Sequence, residues 1–155
     1  MNILNPNKKI LIVSHDAGGA EIISAYIKKF NLKCDYFLKG PAVKIFKMKI
    51  PKIKILKNIN KIFNKYNLII CGSSLNNNFE FNIIKKSKLK KIHVICFIDH
   101  WVNYIDRFRR NFKIILPDEI IVGDIDAKKI ARKVFKNIKI SYCKNFYFES
   151  FKKKN

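Results

Sequence analysis

The chain has 155 residues, 48% of them hydrophobic, and a formal net charge of +22. That length suits one domain that buries roughly 70% of its unfolded surface, so a core needs neither disulfides nor a structural metal. The apolar content argues against a disordered chain, and no apolar run reaches the ~18 residues of a membrane span.

Ile10 to Val13 form a continuous aliphatic run, the mark of a central strand covered on both faces. Polar residues return so soon after it that it is too short for a secretory signal behind Lys8-Lys9. Gly18-Gly19 follow, and Ile22, Ile23, Tyr26, Ile27 and Phe30 then recur at helical spacing, with Lys28 and Lys29 outward. A second strand runs from Cys34 to Leu38 and closes at Gly40-Pro41. Residues 42–57 predict a short helix and a brief strand around Ile53 to Leu56, marked off by Pro51. Over 58–66, Ile59, Ile62, Phe63 and Tyr66 share one helical face. Leu68 to Cys71 predict another buried strand, ended by Gly72-Ser73-Ser74. A helix near 79–88 leads to the longest strand, Ile92 to Ile98, and then to a polar, aromatic segment from Asp99 to Phe112. Pro117 precedes a strand from Glu119 to Val122, a helix spans 125–136, and the last strand is Ile138 to Tyr142. The Lys152-Lys153-Lys154 tail is expected to fray.

Short apolar runs alternating with helical segments are the pattern of βαβ units. The expected fold is a single Rossmann-like, doubly wound α/β domain with a mainly parallel sheet of six to seven strands. It occupies residues 1–150 and leaves 151–155 as a basic tail.

The positive charge is nearly all lysine spread along the chain; only Arg107, Arg109, Arg110 and Arg132 are arginine. Lysine travels here with abundant Ile, Asn and Phe, which share A/T-rich codons, so a skewed base composition produces the same profile. Dispersed charge gives salt-sensitive, non-specific attraction, so specific nucleic-acid binding is not expected. A phosphorylated ligand and contact with an anionic membrane surface stay open. Cys34, Cys71, Cys96 and Cys143 show no metal-ligand spacing, and they read as reduced, structural thiols of a cytoplasmic protein. No metal or cofactor is expected. Asp124 or Asp126 reads as the cap of the helix behind it.

In a doubly wound sheet, ligands bind outside the carboxyl ends of the strands, where strand order reverses. Polar and glycine-rich residues gather at those ends: His15 to Glu21, Gly72 to Asn78, and Asp99 to Arg110. In the first group, Gly18 and Gly19 permit close backbone approach and leave N–H groups at a helix start, an anion or polar-group cradle. The same glycines also fit a tight turn with close helix packing. The spacing is neither GxGxxG nor GxxxxGK[ST], which removes the specific dinucleotide and P-loop readings. Asp99 to Phe108 combine a titratable His, the only Trp, a carboxamide and an Arg in one loop. His100 suits a general base. On extended backbone Asp99 and His100 point oppositely, so its partners are expected from His15, Asp16 or Ser73. The alternative is that Trp101 and Tyr104 anchor the loop while His100 caps a helix. The candidate catalytic residues are His100, Asp16 and Asp99. The candidate ligand contacts are His15, Gly18, Gly19, Glu21, Gly72, Ser73, Ser74, Trp101, Asn103 and Arg107.

The order of these segments resembles the N-terminal Rossmann-like domain of GT-B glycosyltransferases and their relatives, the UDP-N-acetylglucosamine 2-epimerases. The likeness rests on the turn His15-Asp16-Ala17-Gly18-Gly19, the turn Cys71-Gly72-Ser73-Ser74, and the loop from Asp99-His100-Trp101 to Arg107. It continues through Pro117 to Val122, Asp126 to Lys129, and Ile138 to Tyr142. Where the family closes on a Gly-Asn-Pro-like turn, this chain has Cys143-Lys144-Asn145-Phe146. The resemblance implies the acceptor-side half of a glycosyltransferase for polysaccharide or glycolipid, with a separate donor-binding chain as partner. On that reading His100 or Asp16 activates the acceptor hydroxyl, and Arg107 or the glycine turn holds phosphate or sugar oxygens. A phosphorylated lipid acceptor would bring the basic surface to the inner membrane face. Two other readings stay open: a sugar- or nucleotide-binding module without turnover, and a small self-sufficient enzyme acting on a nucleotide-sugar or sugar phosphate.

Overall fold

A computed structural model describes residues 7–152. Six strands form one parallel sheet: β1 (Ile10–Ser14), β2 (Cys34–Leu38), β3 (Leu68–Cys71), β4 (His93–Ile98), β7 (Glu119–Val122) and β8 (Lys139–Tyr142), in the order β2-β1-β3-β4-β7-β8. Between β4 and β7 lies a small antiparallel hairpin of β5 (Arg109–Arg110) and β6 (Lys113–Ile114). Five helices complete the architecture: α1 (Ala17–Phe30), α2 (Pro41–Lys49), α3 (Phe79–Leu89), α4 (Ile125–Val134) and α5 (Phe146–Lys152). This is the doubly wound α/β fold expected from the alternation of strand and helix patterns.

The continuous aliphatic strands are central because they are covered twice. Along β1, Leu11 and Val13 enter one core with Ile69, Cys71, Val94, Cys96 and Ile120. Ile10 and Ile12 enter the other with Leu68, Ile70, Ile95, Phe97 and Ile121. The first core is closed by Ile83 and Ile84 of α3 and by Ala127 and Ala131 of α4. The second is closed by Ala20, Ile23 and Ile27 of α1 and by Ala42 and Phe46 of α2. Each fully buried aliphatic side chain contributes about 1.5–3 kcal/mol relative to exposure. The periods of 2 in the strands and 3.6 in the helices therefore fix which face each element presents.

Strand order decides where a ligand can enter. From β1 the chain moves outward to β2, then to Ile55, which makes a single parallel bridge to Tyr36. It then crosses back over β1 to β3 and proceeds outward through β4, β7 and β8. Order therefore reverses between β1 and β3, and the loops after these strands diverge to opposite faces.

Three local expectations need correction. The predicted strand at Ile53 to Leu56 is only the Ile55 bridge and one hydrogen bond, Leu56 N–H to Tyr36 O at 2.8 Å, so the sheet has six strands. Residues 58–66 form turns and one 3-10 turn, Phe63–Lys65, instead of a helix. Asn58 Oδ1 accepts the Asn60 N–H at 2.8 Å, a side-chain bond that competes with helical pairing. Ile59, Phe63 and Tyr66 are nevertheless buried as one face. At the other end α5 runs through Phe151 and Lys152, so the expected tail begins inside a helix, and 153–155 lie outside the described residues.

Candidate functional site

The carboxyl ends of β1, β3 and β4 converge on two linked polar clusters. In the first, the His15 Nδ1 lies 2.7 Å from Asp16 Oδ1 and 2.9 Å from Asn77 Nδ2. The Asn77 side chain is oriented by its own Oδ1, which accepts the Phe79 N–H at 2.9 Å near the start of α3. Its Nδ2 therefore faces the pair and donates to Asp16 Oδ1 at 3.1 Å. An ionised carboxylate only accepts, so the 2.7 Å contact calls for an Nδ1–H that donates to Asp16, and the Asn77 amide, itself a donor, then serves Asp16 Oδ1 and not the ring. That leaves the lone pair on His15 Nε2.

Nε2 lies against Gly40, where an added Cβ would come within 2.7 Å of it. Gly40 has φ +53°, a conformation that favours glycine, and it precedes Pro41 at the first position of α2. The backbone of His15 is held as firmly as its ring. Its carbonyl accepts the Ala42 N–H at 3.0 Å, and its N–H donates to Glu80 Oε1 at 2.8 Å. Glu80 is buried, and its other oxygen accepts the Ser74 hydroxyl at 2.7 Å. Burial pushes the Glu80 carboxyl above its usual range, against the hydrogen bonds from Ser74 and His15.

The second cluster is built on Asp99. Its Oδ1 accepts from Arg107 Nη1 at 3.1 Å, and its Oδ2 lies 3.3 Å from His100 Nε2. Arg107 is only 7% exposed; Nη1 also donates to the Ser73 carbonyl at 2.9 Å and the Ser73 hydroxyl at 3.1 Å. Its Nε reaches the Val102 carbonyl at 3.4 Å. Arg107 thus braces the ends of β3 and β4, which is a positioning role. Gly18 joins the two clusters, since a Cβ there would overlap the Asp99 carboxylate.

A cavity of about 360 Å³ opens beside this second cluster, walled by Asp99, His100, Trp101, Asp124, Asn145 and Phe148 among others. Asp124 caps α4 by accepting the Ala127 N–H on Oδ1 at 2.7 Å, while Oδ2 accepts the Trp101 indole N–H at 2.8 Å. Trp101 is therefore fixed at the cavity mouth although more than half exposed. Tyr104 is buried, its hydroxyl 3.4 Å from the Ala127 carbonyl. These contacts anchor the loop.

The sequence-derived residues divide accordingly. His15 and Asp16 come together in one cluster; Asp99, His100, Ser73 and Arg107 come together in the other, with Trp101 beside them. His100 takes Asp99 as its partner, not His15, Asp16 or Ser73, because the backbone leaves the extended form where β4 ends. Gly18 and Gly19 lie inside the first turn of α1, and the space over Gly18 holds the protein's own carboxylate, so it is no open anion cradle. Gly19 and Gly72 serve close packing: a Cβ on Gly19 would lie 3.2 Å from the Gly72 Cα. Ser74 is tied to Glu80, and Glu21 pairs with Lys49 of α2, away from both clusters. Asn103, at φ +58°, is a turn residue whose carbonyl accepts the Arg107 N–H at 3.1 Å.

Sequence reasoning missed Asn77, Glu80, Gly40 and Asn145. The available signals were weak: a run of three asparagines at 76–78, and a Gly-Pro pair at a strand end on the same edge. It also missed Ser14, whose hydroxyl is buried near the Gly19–Gly72 seam with no hydrogen-bond partner among the described residues. In the core, the Cys71 thiol is raised well above its ordinary range by hydrogen bonding to Cys96 and then by burial, which makes it an unreactive packing group; Cys96 is buried beside it. No helix among the described residues is long and apolar enough to cross a membrane. Set against models of known protein families and against curated proteins, the chain matches none.

Proposed function

We propose that the crevice at the carboxyl edge binds a hydroxylated, sugar-like acceptor, and that the chain acts as the acceptor side of a GT-B-type glycosyl transfer. The observation that carries this reading is the His15–Asp16 pair at the reversal of strand order, the imidazole packed on the side-chain-free Gly40 and still 29% exposed. In this role His15 Nε2 takes the proton from the acceptor hydroxyl as the oxygen bonds to the anomeric carbon and the nucleoside diphosphate leaves. Asp16 holds the imidazole in the required tautomer and stabilises the imidazolium that forms. Base and orienting group thus differ from the sequence expectation: Asp16 is the orienter and His15 the base. His100 is less suited, since its side chain is 68% exposed and the Asp99 carboxylate is already neutralised by Arg107. Donor contacts would come from a partner chain or domain.

A second reading, a sugar-binding module without turnover, is favoured by the cavity beside Trp101. A fixed aromatic ring with Asp124, Asn145 and His100 around it offers an apolar face and polar groups for hydroxyls.

The test is transfer of labelled sugar from nucleotide-sugar donors to a lipid and sugar extract, using the protein purified with its natural partners. His15→Gln should lower transfer by about 10²–10⁴-fold and Asp16→Asn by a similar order, with acceptor affinity little changed. Transfer unaffected by His15→Gln contradicts the base assignment, whereas binding without any transfer favours the module.

A further inference from the structure

The β5–β6 hairpin presents a residue choice that folding alone does not account for. Arg109 pairs with Ile114 and Arg110 with Lys113, so Asn111 and Phe112 form a two-residue turn. Both have positive φ, 46° and 63°. Asparagine tolerates that conformation, but the second position of such a turn normally takes glycine, and a bulky aromatic there is strained. Phe112 gains nothing in return from the protein, because its side chain is fully exposed. A large apolar group held at a protruding tip against backbone preference suggests selection for something outside the chain.

The surroundings of the tip have a definite chemistry. Ile114 and Leu75 are also exposed and share with Phe112 the rim of a shallow concavity of about 750 Å³. Arg109 and Lys113 flank the tip and are exposed. Asp106, the one acid on that rim, is paired with Arg109 at 3.2 Å. Arg110 is directed inward instead, donating to the Ser74 and Asn77 carbonyls at 2.8 and 2.6 Å, with its guanidinium 5.2 Å from the Phe81 ring. The hairpin is therefore anchored to the loop that positions Asn77, while its apolar tip and remaining cations face outward. Trp101 and Val102, on the loop preceding the hairpin, are exposed as well.

We propose that this hairpin is a membrane-docking element, with Phe112 inserting between the lipids of an anionic bilayer while Arg109 and Lys113 contact its headgroups. A fully exposed aromatic at the turn favours a bilayer over a single nucleic-acid strand: such a tip inserts into a soft apolar layer, whereas bases stack in grooves that track the backbone. The net charge of +22 supplies long-range attraction to such a surface, and the tip supplies the apolar contact that attraction alone lacks. This inference does not rest on the glycosyl-transfer reading, because it is read without turnover.

Flotation with vesicles of phosphatidylglycerol and phosphatidylcholine, against vesicles of phosphatidylcholine alone, tests it at about 0.15 M salt, where surface charges are partly screened. The decisive variant is Phe112→Gly, which keeps the turn and relieves its strain, so lost binding cannot be lost folding. Wild type should float with the anionic vesicles, Phe112→Gly should partition about ten-fold less, and an Arg109→Gln, Lys113→Gln double variant should lose the preference for anionic lipid. Equal flotation of wild type and Phe112→Gly overturns the proposal. So does absence of vesicle binding together with Phe112-dependent binding to single-stranded RNA.

Discussion

Gly18 lacks a side chain for a reason that only the folded chain reveals. Replacing an N-terminal helical glycine by alanine ordinarily favours the helix by up to about 1 kcal/mol. Here the new methyl would enter the space of the Asp99 carboxylate, which cannot swing away because Arg107 and His100 hold it. Gly18→Ala is therefore expected to lower stability by about 1–3 kcal/mol, the range for overpacking, and to shift the midpoint of thermal unfolding down. An unchanged or raised midpoint would mean that Asp99 is free to move. The same scale explains why the Gly18-Gly19 pair was only half legible in the sequence. Two glycines after a strand announce close approach, but not whether a ligand or the protein's own carboxylate does the approaching. His15 and Asp16 stood next to each other in the sequence, yet their pairing depends on Asn77, sixty-one residues beyond Asp16.

At the level of elements, strands whose residues are buried on both faces were the easiest to read. β1, β3 and β7 are unbroken aliphatic or nearly aliphatic runs, and the Ile22-to-Phe30 pattern gave α1. Residues 58–66 misled because helical spacing of apolar groups also results from successive tight turns packed on the same core. The β5–β6 hairpin was invisible for a related reason: two-residue strands have no period, and its turn lacks the usual glycine. The link between elements that carries the site is Arg107, joining the loop after β4 to the end of β3. Arg107→Ala would strand a mostly buried Asp99 carboxylate and unpair the Ser73 carbonyl. Its expected cost is about 3–5 kcal/mol, the range for breaking one side of a buried ion pair. Chemical denaturation would show it as a lower midpoint at unchanged slope. A loss below about 1 kcal/mol would place the pair in the class of weak surface bridges instead.

For the molecule as a whole, the parallel order puts the carboxyl ends of all six strands of the main sheet on one edge, and both polar clusters lie there. The strand patterns foretold that edge. They did not foretell that it would carry two separate His–Asp pairs, because register and loop curvature decide which neighbours meet. The basic surface and the hairpin tip are a separate matter from the crevice, and the two are tested independently. The most direct test of the crevice itself is backbone-amide NMR of the 18.3 kDa chain during titration with sugars, sugar phosphates and nucleotide-sugars. Selective shifts at His15, Asp16, Gly40 and Asn77 are expected with a sugar-containing ligand. Shifts confined to scattered lysines, or centred on Trp101 and Asn145 with His15 unmoved, would contradict a sugar-like acceptor bound at the His15–Asp16 pair.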